Sequence, residues 1–477
     1  MAVSTIAAAA PARNSLIERA HKRASGGAYR IAIMAVLGSF LILAGGASRP
    51  DEIQQVVVRL AAVAAIVATL WPLQFGRLRA HRKWVAGVGA AYALMLAQLI
   101  PLPPGLWAQM PGHAIYAEIA ETAGAVGWRP LSLTPDLTVN ALHALLPATA
   151  AGLAALHLES HQRLRVMRWL VAGACVGAIL GLVQLGAGGD TLHFFRQSSS
   201  DSAVGLFANR NHQAAFLACA LTLTGALAGV RLHHGGGRRT VLVSLAVAAL
   251  LLLSLLATGS RMALLLGPIG LVGAIWCLRA SGGWAGPISA RTRAAAVLAT
   301  IALLAAAALS ASRFGIFDRL AQTDAAAESR VAMLDPLFET ARAFMPWGSG
   351  FGSFDSVYRR FEPDALLSTI YMNQAHNEPL QLAIEGGIPA LILLGLFLCW
   401  WAGSAIGIVR SRLSPERRTM AIAAIMVTFM LMASSLVDYP LRTPLLGAVY
   451  AFSCVQMMRA VAARRRFAPA DACPERG

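Results

Sequence analysis

Long apolar runs, separated by short polar stretches rich in arginine, recur along this chain from residue 30 to residue 463. A run of about 20 apolar residues crosses the roughly 30 Å hydrocarbon core of a bilayer as a helix. Twelve such runs are present, at 30–47, 54–71, 84–101, 138–158, 166–187, 212–230, 240–258, 262–278, 294–311, 380–409, 419–437 and 444–463. The pattern predicts an all-α polytopic membrane protein with about twelve transmembrane helices. Where two runs nearly touch, at Thr258-Gly-Ser-Arg261, one long bent helix and a tight hairpin would read alike.

Composition agrees with this reading and charge orients it. The 477 residues are 57% hydrophobic and only 13% charged, against roughly 25% charged in a soluble domain. If the N-terminus is cytoplasmic, the inside loops hold Arg77, Arg79, Arg82 and Lys83; Arg163, Arg165 and Arg168; Arg231, Arg238 and Arg239; Arg279, Arg291 and Arg293; and Arg410, Arg412, Arg417 and Arg418. Every one of those loops is basic, as the positive-inside rule requires. The net charge of +17 is therefore a topology signal, and no RNA- or DNA-binding motif accompanies it. A lipid bilayer is the expected partner and nucleic acid is not.

Residues 1–29 and 464–477 read as basic cytoplasmic tails around a membrane domain at 30–463. No short apolar stretch with a cleavage site precedes the first span, so a removed signal peptide is not expected. Cys175, Cys219, Cys277, Cys399, Cys454 and Cys473 fall in predicted helices or in the tail, with neither a metal-ligand spacing nor a disulfide framework.

Two outside loops are long, 101–137 and 312–379, the second lying between helices 9 and 10. In the second, Val331, Leu334, Phe338 and Ala341 recur at helical spacing and predict an amphipathic helix on the membrane surface. Trp347-Gly-Ser-Gly-Phe-Gly-Ser-Phe354 follows. Its amides could cradle a phosphate, but the Walker pattern is absent, and a tight turn between surface helices is the preferred reading.

That loop ends in Tyr371-Met-Asn-Gln-Ala-His-Asn-Glu-Pro-Leu-Gln-Leu-Ala-Ile-Glu-Gly-Gly387, a set of costly polar groups at a membrane boundary. Asn377 suits an N-cap and Pro379 the first turn, so a helix is predicted to start here and to carry Glu378, Gln381 and Glu385 along one side. The positive end of its dipole disfavours imidazolium at His376. A neutral histidine there can take a proton from an attacking hydroxyl; it can equally just hydrogen-bond the helix end. His113, His143, His193 and His212 lack a comparable setting.

Arginine recurs at the other outside sites, as Arg210 in Gly205-Leu-Phe-Ala-Asn-Arg-Asn-His212, Arg261 after Ser260, and Arg330 in Glu328-Ser-Arg330. Each is a permanently charged fork suited to phosphate oxygens, and each could also be an interface anchor or a helix-end partner. Their occurrence on the same predicted face as His376 favours the first role.

At these residues the chain resembles the bacterial O-antigen ligase and polymerase superfamily. The resemblance rests on Gln98-Leu-Ile-Pro-Leu-Pro-Pro104 with Pro130-Leu-Ser-Leu-Thr-Pro135, Phe207-Ala-Asn-Arg-Asn211, Gly259-Ser-Arg261 with Leu265, Arg330, and His376-Asn377 followed by Glu385-Gly386-Gly387. It implies an inverting, metal-independent glycosyltransferase of the GT-C type, without cofactor, at the outer face of the bacterial inner membrane. The donor would be a glycan on undecaprenyl diphosphate and the acceptor a hydroxyl of lipid A-core or of another glycan. His376 would be the base, and Arg261, with Arg210 and Arg330, would hold the diphosphate. Asn209, Asn211, Asn377, Glu378 and Glu385 are the expected supporting residues. Protein O-oligosaccharyltransferase is a related alternative. A transporter or flippase for lipid-linked glycan is another, though it would favour charges near the bilayer middle and two similar halves.

Overall fold

The computed structural model describes residues 10–49, 52–71, 81–187, 192–195, 202–282, 332–367 and 372–466. These are almost wholly helical. Ten helices among them are long and apolar enough to cross a membrane. The predicted ninth span at 294–311 lies outside the described residues, as do Glu328, Arg330 and Val331. The predicted third span is a shorter helix, Arg82–Ala97, because the chain turns at Gln98 and runs into a two-residue strand at Pro101–Leu102.

In chain order the helices are α1 (Ala10–Ala44), α2 (Ile53–Leu70), α3 (Arg82–Ala97), α4 (Pro104–Ala108), α5 (Ala114–Thr122), α6 (Pro135–Ala144), α7 (Leu146–His157), α8 (Ser160–Ala187), α9 (Arg210–His233), α10 (Arg238–Ala257), α11 (Arg261–Ala280), α12 (Leu334–Phe344), α13 (Phe354–Tyr358), α14 (Glu378–Val409), α15 (Pro415–Ser434) and α16 (Pro444–Arg466). Between α10 and α11 the chain makes a tight turn. Gly259 takes φ 58° there, a conformation glycine adopts without strain, and Ser260 caps the second helix.

Burial sorts the spans into a centre and a periphery. Within its hydrophobic window α9 is 89% buried, whereas that of α2 is 22% and that of α10 28%. A helix apolar all round and enclosed by others forms the bundle's axis, while the rest turn one face to lipid. Small residues bring α11 close to α9: a Cβ on Gly225 would meet Ala274 Cα at 2.5 Å, and one on Gly270 would meet the Ala218 carbonyl oxygen at 2.7 Å. Such contacts allow the close backbone approach that drives helix association in lipid. Gly225→Val should overpack this seam, lower stability by about 1–3 kcal/mol and reduce the monodisperse fraction after detergent extraction. A thermal unfolding curve equal to the wild type would show that the seam yields.

Helix ends gather on two opposite faces. On one, Leu445 N donates to Gly45 O at 3.0 Å, joining the start of α16 to the end of α1. On the other, Thr419 Oγ1 donates to Cys277 O at 3.5 Å, and Arg459 reaches the Leu158 carbonyl. The 101–137 loop and the described parts of the second, 332–367 and 372–379, belong to the first face. Pro101–Leu102 pairs antiparallel with Arg129–Pro130, and the Trp107 indole donates to Pro130 O at 2.7 Å.

The surface helix α12 forms, and its buried stripe is shifted from the one the spacing suggests: Ala341 is on it and Leu334 borders it, but Phe338 is not. Leu337, Ala341 and Phe344 are buried, with Pro336 and Thr340, whereas Phe338 is 50% exposed and Leu334 half-buried. Two apolar stripes coexist on this helix. Packing against α14 and the 101–137 loop, where Phe344 abuts Gly112, chose the second.

The glycine-rich turn has a structural task. Inside α14, Gly387 is non-helical and Pro389 lacks an N–H, which leaves carbonyls of the preceding turn without intrahelical donors. Ser349 N donates to Ile384 O at 2.9 Å and Gly350 N to Glu385 O at 3.0 Å; Ile388 N returns a bond to Pro346 O at 2.8 Å. Gly348 N goes to Phe344 O, and Phe351 N to Gln98 Oε1 at 3.0 Å. These amides are committed to protein acceptors and do not form a phosphate cradle. Gln98 closes the joint by donating to Glu385 O at 2.9 Å.

Candidate functional site

The polar cluster forms where α9, α11 and α14 begin and where α15 hands over to α16. Each helix start exposes backbone N–H groups that short polar side chains can satisfy. Asn209 caps α9, its Oδ1 accepting from Asn211 N at 2.8 Å. Ser260 caps α11, accepting from Met262 N at 3.1 Å. Asn377 caps α14, accepting from Leu380 N at 3.0 Å.

The starts of α9 and α11 are joined to each other and to the 438–442 segment. Ser260 Oγ donates to Asn211 Oδ1 at 2.6 Å, and Asn211 Nδ2 donates to Asp438 Oδ2 at 2.5 Å. Three segments far apart in sequence thereby converge on one carboxylate.

Asp438 is 1% exposed, and its Oδ1 accepts from Tyr439 N at 2.9 Å. His376 Nδ1 lies 3.4 Å from that oxygen and His212 Nε2 lies 3.7 Å from it, ion-pair separations without hydrogen-bond alignment. Burial alone would raise the carboxyl's pKa. The two imidazoles outweigh it and hold Asp438 well below the ordinary carboxylate range. Asp438 is therefore an anion facing two histidines.

Tyr439 packs edge-on against both rings, at 4.8 Å from His376 and 5.3 Å from His212. Its phenol is pushed far up by burial and by the Asp438 charge, so it stays protonated. The two histidines differ in access. His212 is 2% exposed and forms the floor, whereas the His376 side chain is 24% exposed. With Nδ1 turned toward Asp438, the Nε2 of His376 is the nitrogen left for a substrate. His376 also takes φ 48°, an uncommon conformation for a residue with a Cβ and one found at constrained functional positions.

Beside this pair runs a second network, in which Glu385 is buried and Arg442 and Glu378 are half-buried. Arg442 Nε donates to Glu378 Oε2 at 3.2 Å, and Arg442 Nη2 stands 3.6 Å from Glu385 Oε2. Gln381 Nε2 donates to Glu385 Oε1 at 2.9 Å and to Gln374 Oε1 at 2.6 Å, while its own Oε1 accepts from Ala375 N at 2.9 Å. The peptide just before His376 is thus tied to the α14 surface. Glu378 and Glu385 share one side of that helix, as their spacing predicts.

The arginines are placed less uniformly. Arg210 and Arg261 are the first residues of α9 and α11, next to the capping Asn209 and Ser260. Arg210 is half-buried and its Nη1 donates to Ser202 Oγ at 3.4 Å; Arg261 is exposed. Arg330 lies outside the described residues.

Sequence reasoning missed Asp438, Tyr439, Arg442 and His212. A signal for the first three was present: Ser434-Ser-Leu-Val-Asp-Tyr-Pro-Leu-Arg442 puts an anion and a cation between two spans on the same face, which is the criterion that singled out residues 371–387. His212 ends an outside polar stretch at the entry to a span and has no setting in the sequence like that of His376; only the fold turns it toward Asp438.

Fold and cluster together define an all-α multi-pass membrane protein with a histidine–carboxylate pair and paired ionic groups gathered at one end of its bundle. Residues 246–395, about a third of the chain, match the family model described as O-antigen ligase, and over that stretch the chain is similar to this family. The matched stretch contains Ser260, Arg261, His376, Glu378 and Glu385; Asn211, Asp438 and Arg442 lie outside it and reach the same cluster through the fold. No curated protein matches the chain.

Proposed function

We propose that this protein transfers a glycan from undecaprenyl diphosphate to a hydroxyl acceptor at the outer face of the bacterial inner membrane, with both termini cytoplasmic. The O-antigen ligase domain supports ligase- or polymerase-type glycan transfer in general. The observation that carries the finer reading is the His376–Asp438 pair, partly open to solvent and flanked by helices that begin with Arg210 and Arg261.

In this reading His376 Nε2 takes the proton of the acceptor hydroxyl as its oxygen attacks the anomeric carbon, and Asp438 compensates the positive charge that the imidazole acquires. The bond to the diphosphate breaks on the opposite side of the sugar, which inverts the anomeric centre. Charge then builds on the leaving diphosphate, and the permanently charged guanidinium groups of Arg261, Arg210 and Arg330 stabilise it more in the transition state than in the ground state. Glu378, Glu385 and Arg442 hold the start of α14, and with it His376, against the 438–442 segment.

Arg261→Lys keeps the charge but loses the planar fork. Transfer should fall by roughly 10²-fold or more, the scale of losing one oriented transition-state donor, in an assay of the purified protein with undecaprenyl-diphosphate glycan. Unchanged donor affinity and rate would make Arg261 a structural helix-start residue. The function is tested with the same donor, with and without lipid A-core. Transfer to core identifies a ligase and glycan lengthening without core a polymerase; absence of both products, with translocation across vesicles, would overturn the proposal in favour of a transporter.

A further inference from the structure

The face opposite His376 holds a cavity of about 100 Å³ between α1, α2 and α7, lined by Gly26, Tyr29, Arg30, Ile33, Thr69, Ala154 and His157. Its wall is largely apolar, with two basic side chains at its edge. Among the described residues, no hydrogen bond or ion pair engages the half-buried Arg30 guanidinium. Tyr29 donates its hydroxyl to Ala68 O at 2.9 Å, and His157 Nδ1 lies 2.9 Å from Leu153 O.

More positive charge stands behind this wall. Arg459 reaches the Leu158 carbonyl at the end of α7. Arg163, 8% exposed, donates Nη2 to Ser160 Oγ at 3.0 Å, and its Nε has no hydrogen-bond partner. His81, just before α3, titrates below the usual imidazole value through its own burial and then the charges of Arg459 and His157.

Among the described residues, the nearby acidic groups are engaged elsewhere. Glu159 turns to His161 at 3.6 Å with its side chain 63% exposed, and Glu416, the acidic neighbour of Arg163, is 3.3 Å from His234. A half-buried guanidinium such as that of Arg30, with no acidic partner among the described residues, is costly unless a counter-charge arrives from outside. A basic pocket between transmembrane helices, apolar inside and cationic at the rim, suits an anionic lipid headgroup.

We propose that this cavity, with Arg30 and His157 at its edge, binds the phosphate of an anionic phospholipid from the leaflet opposite the His376 cluster. The lipid's apolar part lies along Ile33 and Ala154. Free inorganic phosphate offers the same oxygens but gains nothing from the apolar wall, so the lipid is the favoured source.

Native mass spectrometry of the purified protein, titrated separately with phosphatidylglycerol, zwitterionic phosphatidylcholine and inorganic phosphate, tests this. Phosphatidylglycerol should bind at least tenfold tighter than phosphatidylcholine, and raised ionic strength should weaken the preference. Arg30→Gln, which breaks no internal bond among the described residues, should remove most of that preference, and Arg30→Lys should restore part of it. Equal retention of the two lipids by the wild type, or an unchanged preference in Arg30→Gln, overturns the proposal. Binding of inorganic phosphate with no selective retention of phosphatidylglycerol overturns the lipid assignment. Should Arg30→Gln fail to purify, the wild-type lipid comparison decides alone.

Discussion

His376→Asn is expected to lower glycan transfer by about 10²–10⁴-fold, the usual range for removing a positioned general base, while leaving thermal stability close to the wild type. Asparagine is chosen because His376 has φ 48°, and Asn tolerates the left-handed region better than most residues. His376→Ala should be equally inactive but somewhat less stable. Asp438→Asn should also reduce transfer, by about 10², because in the proposed mechanism it removes the charge that compensates the imidazolium. Transfer assays with undecaprenyl-diphosphate glycan, paired with unfolding curves in detergent, separate the two effects. A His376→Asn protein that transfers at the wild-type rate would remove His376 from the chemistry.

Arg442→Leu should be the most damaging single change to stability. Arg442 is the cation between Glu378 and Glu385, and Glu385 is 1% exposed. Removing the cation leaves the buried Glu385 carboxylate uncompensated; breaking a fully buried pair costs about 3–5 kcal/mol, and the part-exposure of Arg442 and Glu378 makes that an upper bound. The expected result is a large drop in unfolding midpoint and a poor yield of folded protein. Pairing Arg442→Leu with Glu385→Gln should recover much of the loss, since the second change removes the stranded charge. If the single variant melts with the wild type, the network is a surface contact and not a brace for α14.

The spans were legible because hydrocarbon leaves the backbone few options: its polar groups must bond within the segment, so runs of apolar residues announce helices whatever their neighbours are. The start of α14 was legible for a related reason. Asn377 as cap, Pro379 in the first turn and Glu378, Gln381 and Glu385 on one side are local relations along a single helix. Length failed at α3, where the apolar run continues past Ala97 but Gln98 leaves the helix to bridge Phe351 and Glu385. Periodicity was only partly right on α12, where Ala341 is buried as expected but packing selected Leu337 and Phe344 over Phe338.

By itself the sequence determined that this is a many-helix membrane protein, that its arginines segregate between two faces, and that His376 stands at a helix start among polar groups. Hydropathy, charge and capping are local or additive, so they can be read without a fold. Tertiary structure alone decided what stands beside His376. Asp438 lies 62 positions along the chain and Asn211 lies 165 positions before His376, yet bundle packing brings Asn211, Ser260, His376 and Tyr439 around one buried carboxylate. No periodicity encodes such a meeting. It arises because a nearly fully buried α9 at the axis sets which helix ends share a corner, and a buried anion there is stable only with partners that all of those ends supply.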